Sequence, residues 1–265
     1  MKNDLFSIGP FTVHGYGLMI AIGVLSAYYM VEYRAKKKQM DWEKVFPLTV
    51  WSVLGGFLGS KILYLLTRLP DILANPALLG SSIKDGFVVY GGIIGGILTA
   101  WIYCKCTKWN FWKIFDIAMP AVAMAQGFGR IGCLLAGCCY GIELDPANPI
   151  GIVFHNSAYA PNDVALLPTQ IISSVLDFLH FFILLYFVKK WKKHDGQVTG
   201  LFFMLYSAGR FVLEYFRGDL ERGSVGVLST SQFIAIFMFV FGAVFFFVLS
   251  KKKVAVPAEV KKQDE

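Results

Sequence analysis

The residues best suited to chemistry in this chain surround an arginine set in an apolar run, Gly127-Phe-Gly-Arg-Ile-Gly-Cys-Leu-Leu-Ala-Gly-Cys-Cys-Tyr-Gly141. Its flanks, Ala118 to Gln126 and Ile131 to Ala136, are apolar enough to lie at membrane depth, where an unpaired guanidinium costs roughly 3 kcal/mol or more. Arg130 therefore needs an anion or a carboxylate to hold it there. Gly127, Gly129, Gly132, Gly137 and Gly141 leave a backbone without side chains around it, which lets a polar headgroup come close. Helix packing is the competing explanation for the glycines, but it leaves the arginine unexplained.

A second polar set recurs every four residues, Tyr206, Arg210 and Glu214, which puts all three on one helix face. Arg210 and Glu214 can pair within the helix, and the plain reading of Glu214 is that it neutralises its neighbour. Two arginines with few acidic partners make a positive cavity, and their planar forks suit a phosphate. Arg217, followed by Asp219, Glu221 and Arg222, reads as a surface residue. Tyr16 and Tyr90 each stand beside glycine at the end of an apolar run and read equally as interfacial anchors or site residues. His14 could be a base or a headgroup contact, although a lone interfacial histidine is usually neither. His155 and His194 fall in loops, and His180 lies inside an apolar run where packing is its default role.

The elements that must hold these residues are set by composition. In 265 residues, 56% are hydrophobic and 16% charged, and the mean hydropathy is +0.56, which excludes an ordinary soluble domain and a disordered chain. The expected fold is an all-α integral membrane bundle of seven helices, each near the ~20 residues that cross a bilayer. They are expected at Tyr16 to Tyr33, Val45 to Leu66, Phe87 to Tyr103, Phe115 to Cys133, Leu167 to Val188, Thr199 to Phe216 and Val225 to Ser250. The first run lacks a basic lead-in and a small-residue cleavage site, so it reads as a span rather than a cleavable signal.

Arg34 with Lys36 to Lys38, then Lys105 and Lys108, Lys189 to Lys193, and Lys251 to Lys253 all follow odd-numbered spans. Short basic loops stay in the cytoplasm, so the amino terminus is expected outside and the carboxyl terminus inside. The net charge of +7 is thus membrane anchoring and not a nucleic-acid footprint. Residues 1–253 read as a single membrane domain, and Val254 to Glu265 as a disordered cytoplasmic tail. No internal repeat suggests a transporter built from two halves. Gly55 with Gly59 and Gly92 with Gly96 read as helix-packing pairs.

The five cysteines, at positions 104, 106, 133, 138 and 139, lack paired C-x-x-C spacing, so no metal or other cofactor is expected. Buried cysteine usually behaves as a small hydrophobe. Reactivity at Cys138 and Cys139 is the alternative.

Five motifs in order give the chain a resemblance to the bacterial prolipoprotein diacylglyceryl transferase family: Phe6-Ser-Ile-Gly-Pro with Tyr16-Gly-Leu-Met, Tyr90-Gly-Gly-Ile-Ile-Gly, Gly127-Phe-Gly-Arg-Ile-Gly leading to Tyr140-Gly141, Leu167-Pro-Thr-Gln170, and Gly209-Arg-Phe-Val-Leu-Glu-Tyr-Phe-Arg217. The resemblance implies transfer of diacylglyceryl from phosphatidylglycerol to the thiol of the lipobox cysteine in a preprolipoprotein signal peptide. The product is a thioether, glycerol 1-phosphate is released, and the enzyme is expected in the bacterial plasma membrane. Arg130 matches the family's phospholipid-binding arginine, Gly141 the glycine closing that signature, and Tyr16, Tyr206, Arg210 and Glu214 match residues regarded as functional there.

The chain departs from the family pattern where Tyr90 stands in place of a histidine proposed as the thiol's base. It departs again where Cys133 and Ala136 replace asparagines and where Cys138-Cys139 replaces a more acidic stretch. The alternatives to a transferase are a non-catalytic homologue, a transporter of an anionic lipid or metabolite, and a thiol redox protein built on Cys138 and Cys139.

Overall fold

The computed structural model describes residues 4–9, 11–84, 86–219 and 223–248. Each predicted span contains a long helix. In chain order the helices are α1 Gly15–Lys37, α2 Val45–Thr67, the short α3 Leu69–Ala74 and α4 Leu78–Lys84, α5 Val89–Cys106, α6 Phe111–Ala136, α7 Thr169–Lys190, α8 Gln197–Glu214 and α9 Thr230–Phe247. Six of the long helices, α1, α2, α5, α6, α7 and α9, are long and apolar enough to cross a membrane. Helix α8 is not among those six, since Gln197, Arg210 and Glu214 dilute its apolar character.

Helices α1 and α7 run past the expected ends because their last turns carry Arg34, Lys36 and Lys37, and Lys189 and Lys190. Cations there face the unpaired carbonyls of a helix C-terminus. The chain is mostly helical, as expected of an all-α membrane protein, and short antiparallel ladders occupy the segment before α1, β1 Asp4–Ile8 with β2 Phe11–His14, and two later connections, β3 Ile152–Val153 with β4 Ala165–Leu166 and β5 Ser224–Val225 with β6 Leu228–Ser229. Chain turning between helices must pair its own backbone groups, and these ladders do so. Pro10, Glu221, Arg222, Ser250, Lys251 to Lys253 and the expected tail from Val254 lie outside the described residues.

The chain divides into two compact units, residues 28–114, and residues 1–27 with 115–265. The boundaries fall inside α1 and near the start of α6. In the first of these units α2 lies against α5 through glycine. A Cβ on Gly55 would meet Gly95 O at 3.1 Å, one on Gly59 would meet Gly95 Cα at 3.0 Å, and one on Gly96 would meet Ser52 O at 3.3 Å. Small residues one turn apart let helix backbones touch, as membrane helices require in the absence of a hydrophobic drive between them. The expected pair Gly55 and Gly59 thus packs, and across from it the closest approach involves Gly91 and Gly95, with Gly92 and Gly96 in the adjoining row.

In the unit that carries Arg130, α6 is the longest helix at 26 residues. Its N-terminal end is fixed by Asp116, which is 1% exposed. The Asp116 carboxylate accepts hydrogen bonds from the Gly196 and Thr199 amides at 2.8 and 2.9 Å and from Thr199 Oγ1 at 2.8 Å. Lys192 Nζ lies 2.8 Å away and also reaches Asp195. One carboxylate from α6 therefore satisfies two of the orphan amides at the start of α8 and complements the positive end of its dipole. Helices α8 and α9 meet where Gly200 faces Gly242, a Cβ on either lying 2.8 Å from the carbonyl of the other.

Candidate functional site

Arg130 is positioned by the seating of α6 on α7 and α1. Ser174 Oγ donates to Gly127 O at 3.0 Å, and a Cβ on Gly127 would press on the Phe178 ring at 3.0 to 3.1 Å. Phe128 and Phe178 meet edge to face at 5.3 Å, a favoured aromatic geometry. On the α1 side, a Cβ on Gly132 would meet Met19 and Tyr16 at 3.2 Å. Most of the glycines around Arg130 are therefore explained by packing. Gly129 is the exception, with nothing within 4 Å of a Cβ placed there.

These contacts turn Arg130 into a narrow cleft that it lines together with Asp177 and His180 of α7 and Tyr206 and Arg210 of α8. Arg130 Nε stands 3.9 Å from Asp177 Oδ2, beyond hydrogen-bond reach. Among the described residues, that carboxylate oxygen and His180 Nδ1 are buried without a hydrogen-bond partner. Arg210 is held more firmly: Nη2 is 2.6 Å from Glu214 Oε2 and donates to Ser231 Oγ at 3.0 Å. Glu214 Oε1 in turn accepts from Ser229 Oγ at 3.0 Å, and Ser229 caps α9 through a reciprocal pair of bonds with Gln232. The four-residue spacing of Tyr206, Arg210 and Glu214 thus aligns them as expected, with Tyr206 stacked on Phe202 at 5.9 Å.

The remaining candidates lie elsewhere. His14 is exposed in β2 and its Nδ1 is 2.6 Å from Asp4 Oδ1 in β1. Tyr90 lies in the first turn of α5, in the other compact unit, and is 44% exposed. Gly141 is a buried crossing point. Its amide donates to Leu167 O at 3.0 Å, the Ile142 amide donates to Phe216 O at 3.0 Å, and the Gly218 amide donates to Tyr140 O at 3.1 Å. A Cβ at Gly141 would lie 2.6 and 2.8 Å from the Leu167 and Phe216 oxygens.

That crossing corrects the surface reading of Arg217. The residue is 7% exposed, because its backbone bridges to Gly141 and draws the segment after α8 inward. Its guanidinium forks onto Asp219, Nε to Oδ1 at 2.8 Å and Nη2 to Oδ2 at 2.6 Å. Burial works against the charged form, and the Asp219 fork, with Cys139 alongside, more than restores it.

Three cysteines that the sequence spacing left as packing residues are brought together. The thiol sulfurs of Cys133, Cys138 and Cys139 all lie within 4.8 Å of one another. The cause is the way α6 ends. Gly137 adopts φ +75°, its amide donates to Leu134 O, and the Cys138 amide donates to Cys133 O at 3.1 Å. This is the paired closure that folds a helix end back on its last turn. Hydrogen bonds from Cys133 and Cys138, and then the Arg217 guanidinium, pull the Cys139 thiol below its ordinary pKa. The residues missed from sequence are thus Asp177, the buried Arg217 and the cysteine trio. Asp177 alone had a signal, being an acid inside an apolar span.

A family model described as prolipoprotein diacylglyceryl transferase matches residues 3–248 of the chain. A phosphatidylglycerol–prolipoprotein diacylglyceryl transferase of Clostridium tetani is 44% identical over 243 residues, covering 91% of this chain and 95% of the relative. A protein of Clostridium perfringens with the same description, numbered 2, is 42% identical over 253 residues, covering 96% and 97%. One from Salmonella arizonae is 32% identical over 265 residues, covering 91% and 90%.

Proposed function

The chain belongs to the prolipoprotein diacylglyceryl transferase family, and from that membership and the two-arginine cleft we infer that it transfers diacylglyceryl from phosphatidylglycerol to the lipobox cysteine of preprolipoproteins. The acceptor sulfur attacks the glyceryl carbon that bears the phosphate ester. A C–S bond forms as the C–O bond breaks, glycerol 1-phosphate leaves with the bonding electrons, and the thiol proton passes to water or to the leaving phosphate. Charge develops on the phosphate, so cations fixed beforehand in a site with little water stabilise the transition state without reorganising.

The observation that carries this reading is the pair of guanidinium groups in one cleft, Arg130 and Arg210. Arg210 is oriented by Glu214 and Ser231. Among the described residues Arg130 faces a single carboxylate, at a distance, which leaves its fork available to a phosphodiester. Tyr206 and Tyr16 border the headgroup, Gly141 holds the segment that follows α6 in place, and His14 contacts the headgroup region from the hairpin. Thiol attack near neutral pH needs a base or a positive field, since the ordinary thiol pKa is ~8.5. The arginine pair supplies the field, and the phenol of Tyr90 assists at the acceptor.

The distribution of basic residues supports seven crossings, with α8 completing the bundle, the amino terminus outside and the carboxyl terminus in the cytoplasm. Residues 1–253 form one polytopic region of the bacterial plasma membrane, followed by a polar tail. The reaction then takes place towards the outer leaflet, where the acceptor's signal peptide emerges.

The test is glycerol phosphate release by purified protein in detergent, given phosphatidylglycerol and a lipobox peptide. Release that requires the peptide's cysteine is expected, and Tyr90→Phe is expected to slow it. No release from folded protein, or release indifferent to a serine in place of that cysteine, overturns the assignment.

A further inference from the structure

The cysteine trio has no task in the transfer chemistry described above. We propose that Cys133, Cys138 and Cys139 bind one soft divalent cation, zinc, as three thiolates. Their sulfurs already lie within 4.8 Å of one another. Three thiolates on a tetrahedral zinc at ~2.3 Å sit ~3.8 Å apart, so closure around the ion asks each sulfur to move by less than about an ångström. Sulfur donors without an oxygen or imidazole select zinc over hard cations such as magnesium and calcium.

The backbone that presents the thiols is fixed from both sides. The turn at Gly137 sets Cys138 back over Cys133, and Cys139 holds a left-handed conformation, φ +61°. From α7, Gln170 Nε2 donates to Cys138 O and Thr169 Oγ1 to Cys139 O, both at 2.8 Å. Asparagine and aspartate occupy left-handed positions more readily than cysteine does, and the bond from Thr169 helps hold Cys139 there. Cys133, Cys138 and Cys139 are each half-buried rather than sealed in the core, which leaves a route for the ion.

Loading one divalent ion onto three thiols releases three protons and leaves one net negative charge. The Arg217 guanidinium, hydrogen-bonded to Cys139, faces that charge. Three protein ligands also leave one tetrahedral position for water or another small ligand. Cys104 and Cys106 lie in the other compact unit and serve as internal controls.

The experiment uses the full chain, purified reduced in detergent, stripped with a chelator and titrated with zinc against a chromophoric competitor. Its readout is metal content and affinity, so its outcome is separate from whether transfer occurs. Tight binding of one zinc per chain is expected, unchanged in Cys104→Ser and Cys106→Ser and weakened roughly 100-fold or more in Cys138→Ser and Cys139→Ser. Cys138→His, which keeps a ligand of the right class, is expected to recover part of the affinity where serine does not. Cobalt loading is expected to give a thiolate-to-metal charge-transfer band that is lost in the same serine variants. Three results overturn the site: no stoichiometric zinc in wild-type protein, equal binding in the Cys138 and Cys139 serine variants, or a native disulfide within the trio by intact mass.

Discussion

Arg130 of α6 and Asp177 of α7 face each other with 3.9 Å between Nε and Oδ2, near enough to share charge and too far to share a hydrogen bond. Asp177 is 4% exposed, and its facing oxygen has no hydrogen-bond partner among the described residues. The carboxylate therefore keeps the guanidinium tolerable in an apolar setting without occupying its fork. A phosphate entering the cleft can take the arginine's donors while Asp177 remains behind it.

Replacing Arg130 by alanine is expected to lower the rate of glycerol phosphate release by roughly 100-fold or more, the usual effect of removing one fixed donor to a developing oxyanion. Arg130→Lys is expected to recover only part of it, because an ammonium cannot present two parallel donors. Release assays on both variants, with a melting curve to establish folding, check this. Full activity in the alanine variant would remove Arg130 from the mechanism.

Asp177→Ala leaves a buried cation without its counter-charge. The loss of stability is expected to fall below the ~3–5 kcal/mol of a tight buried pair, since the separation is long and the Arg130 side chain is 23% exposed. Phosphatidylglycerol is expected to raise the variant's Tm by more than it raises that of the wild type, because the phosphate takes over as counter-ion. An equal rise in both proteins would argue against phosphate binding at Arg130.

Asp116→Ala is a stability variant. It leaves Lys192 to Asp195 and removes the acceptor for the Gly196 and Thr199 amides and the Thr199 hydroxyl. A loss of about 3 kcal/mol or more is expected, read as a lower thermal midpoint in detergent. Activity per folded molecule is expected to stay near wild type, since Asp116 does not line the Arg130 cleft.

Two glycines of one motif are expected to respond in opposite ways. Gly129→Ala adds a methyl to open space within α6 and removes a helix-interior glycine, a change worth roughly 0.5–1 kcal/mol in favour of folding. Gly141→Ala drives a methyl against the carbonyls of Leu167 and Phe216, which are backbone and cannot swing aside, so a loss of about 1–3 kcal/mol is expected. Paired melting curves decide it, and equal midpoints would mean that the crossing at Gly141 is looser than its geometry.

The positions of the long helices were legible in the residues, because a span is announced by an unbroken apolar run and by the basic residues that close it. Even α8, with a polar face, is placed within a few residues by its apolar stretch from Thr199 to Phe216. The hairpin holding His14 was not foreseen, since the strands it joins are short and carry little periodicity. Asp177 is marked in the sequence as an acid in an apolar run, but nothing along the chain says that it faces Arg130.

Other features had no signal along the chain at all. Arg217 read as exposed because its neighbours are charged, and it is buried because the segment after α8 crosses Gly141, which lies far from it in sequence. The glycines beside Arg130 read as room for a ligand, whereas Gly127, Gly132 and Gly141 are occupied by Phe178, Tyr16 and the Leu167 carbonyl. The cysteines spaced five and six apart match no metal motif, and they converge because one glycine ends α6 in a turn that reverses the chain.

What the sequence determined by itself was the family, the apolar helices and the presence of two arginines where arginines are expensive, because these follow from residue type and local order. What the tertiary structure alone decided was which partners those charges have. Among the described residues Arg210 is held by Glu214 and Ser231, Arg217 by Asp219, and Arg130 by a distant carboxylate alone. Whether a buried charge is neutralised or left ready for a ligand depends on distances of a few ångströms between helices, and Coulomb energy and hydrogen bonding change over those distances far faster than any pattern along the chain can record.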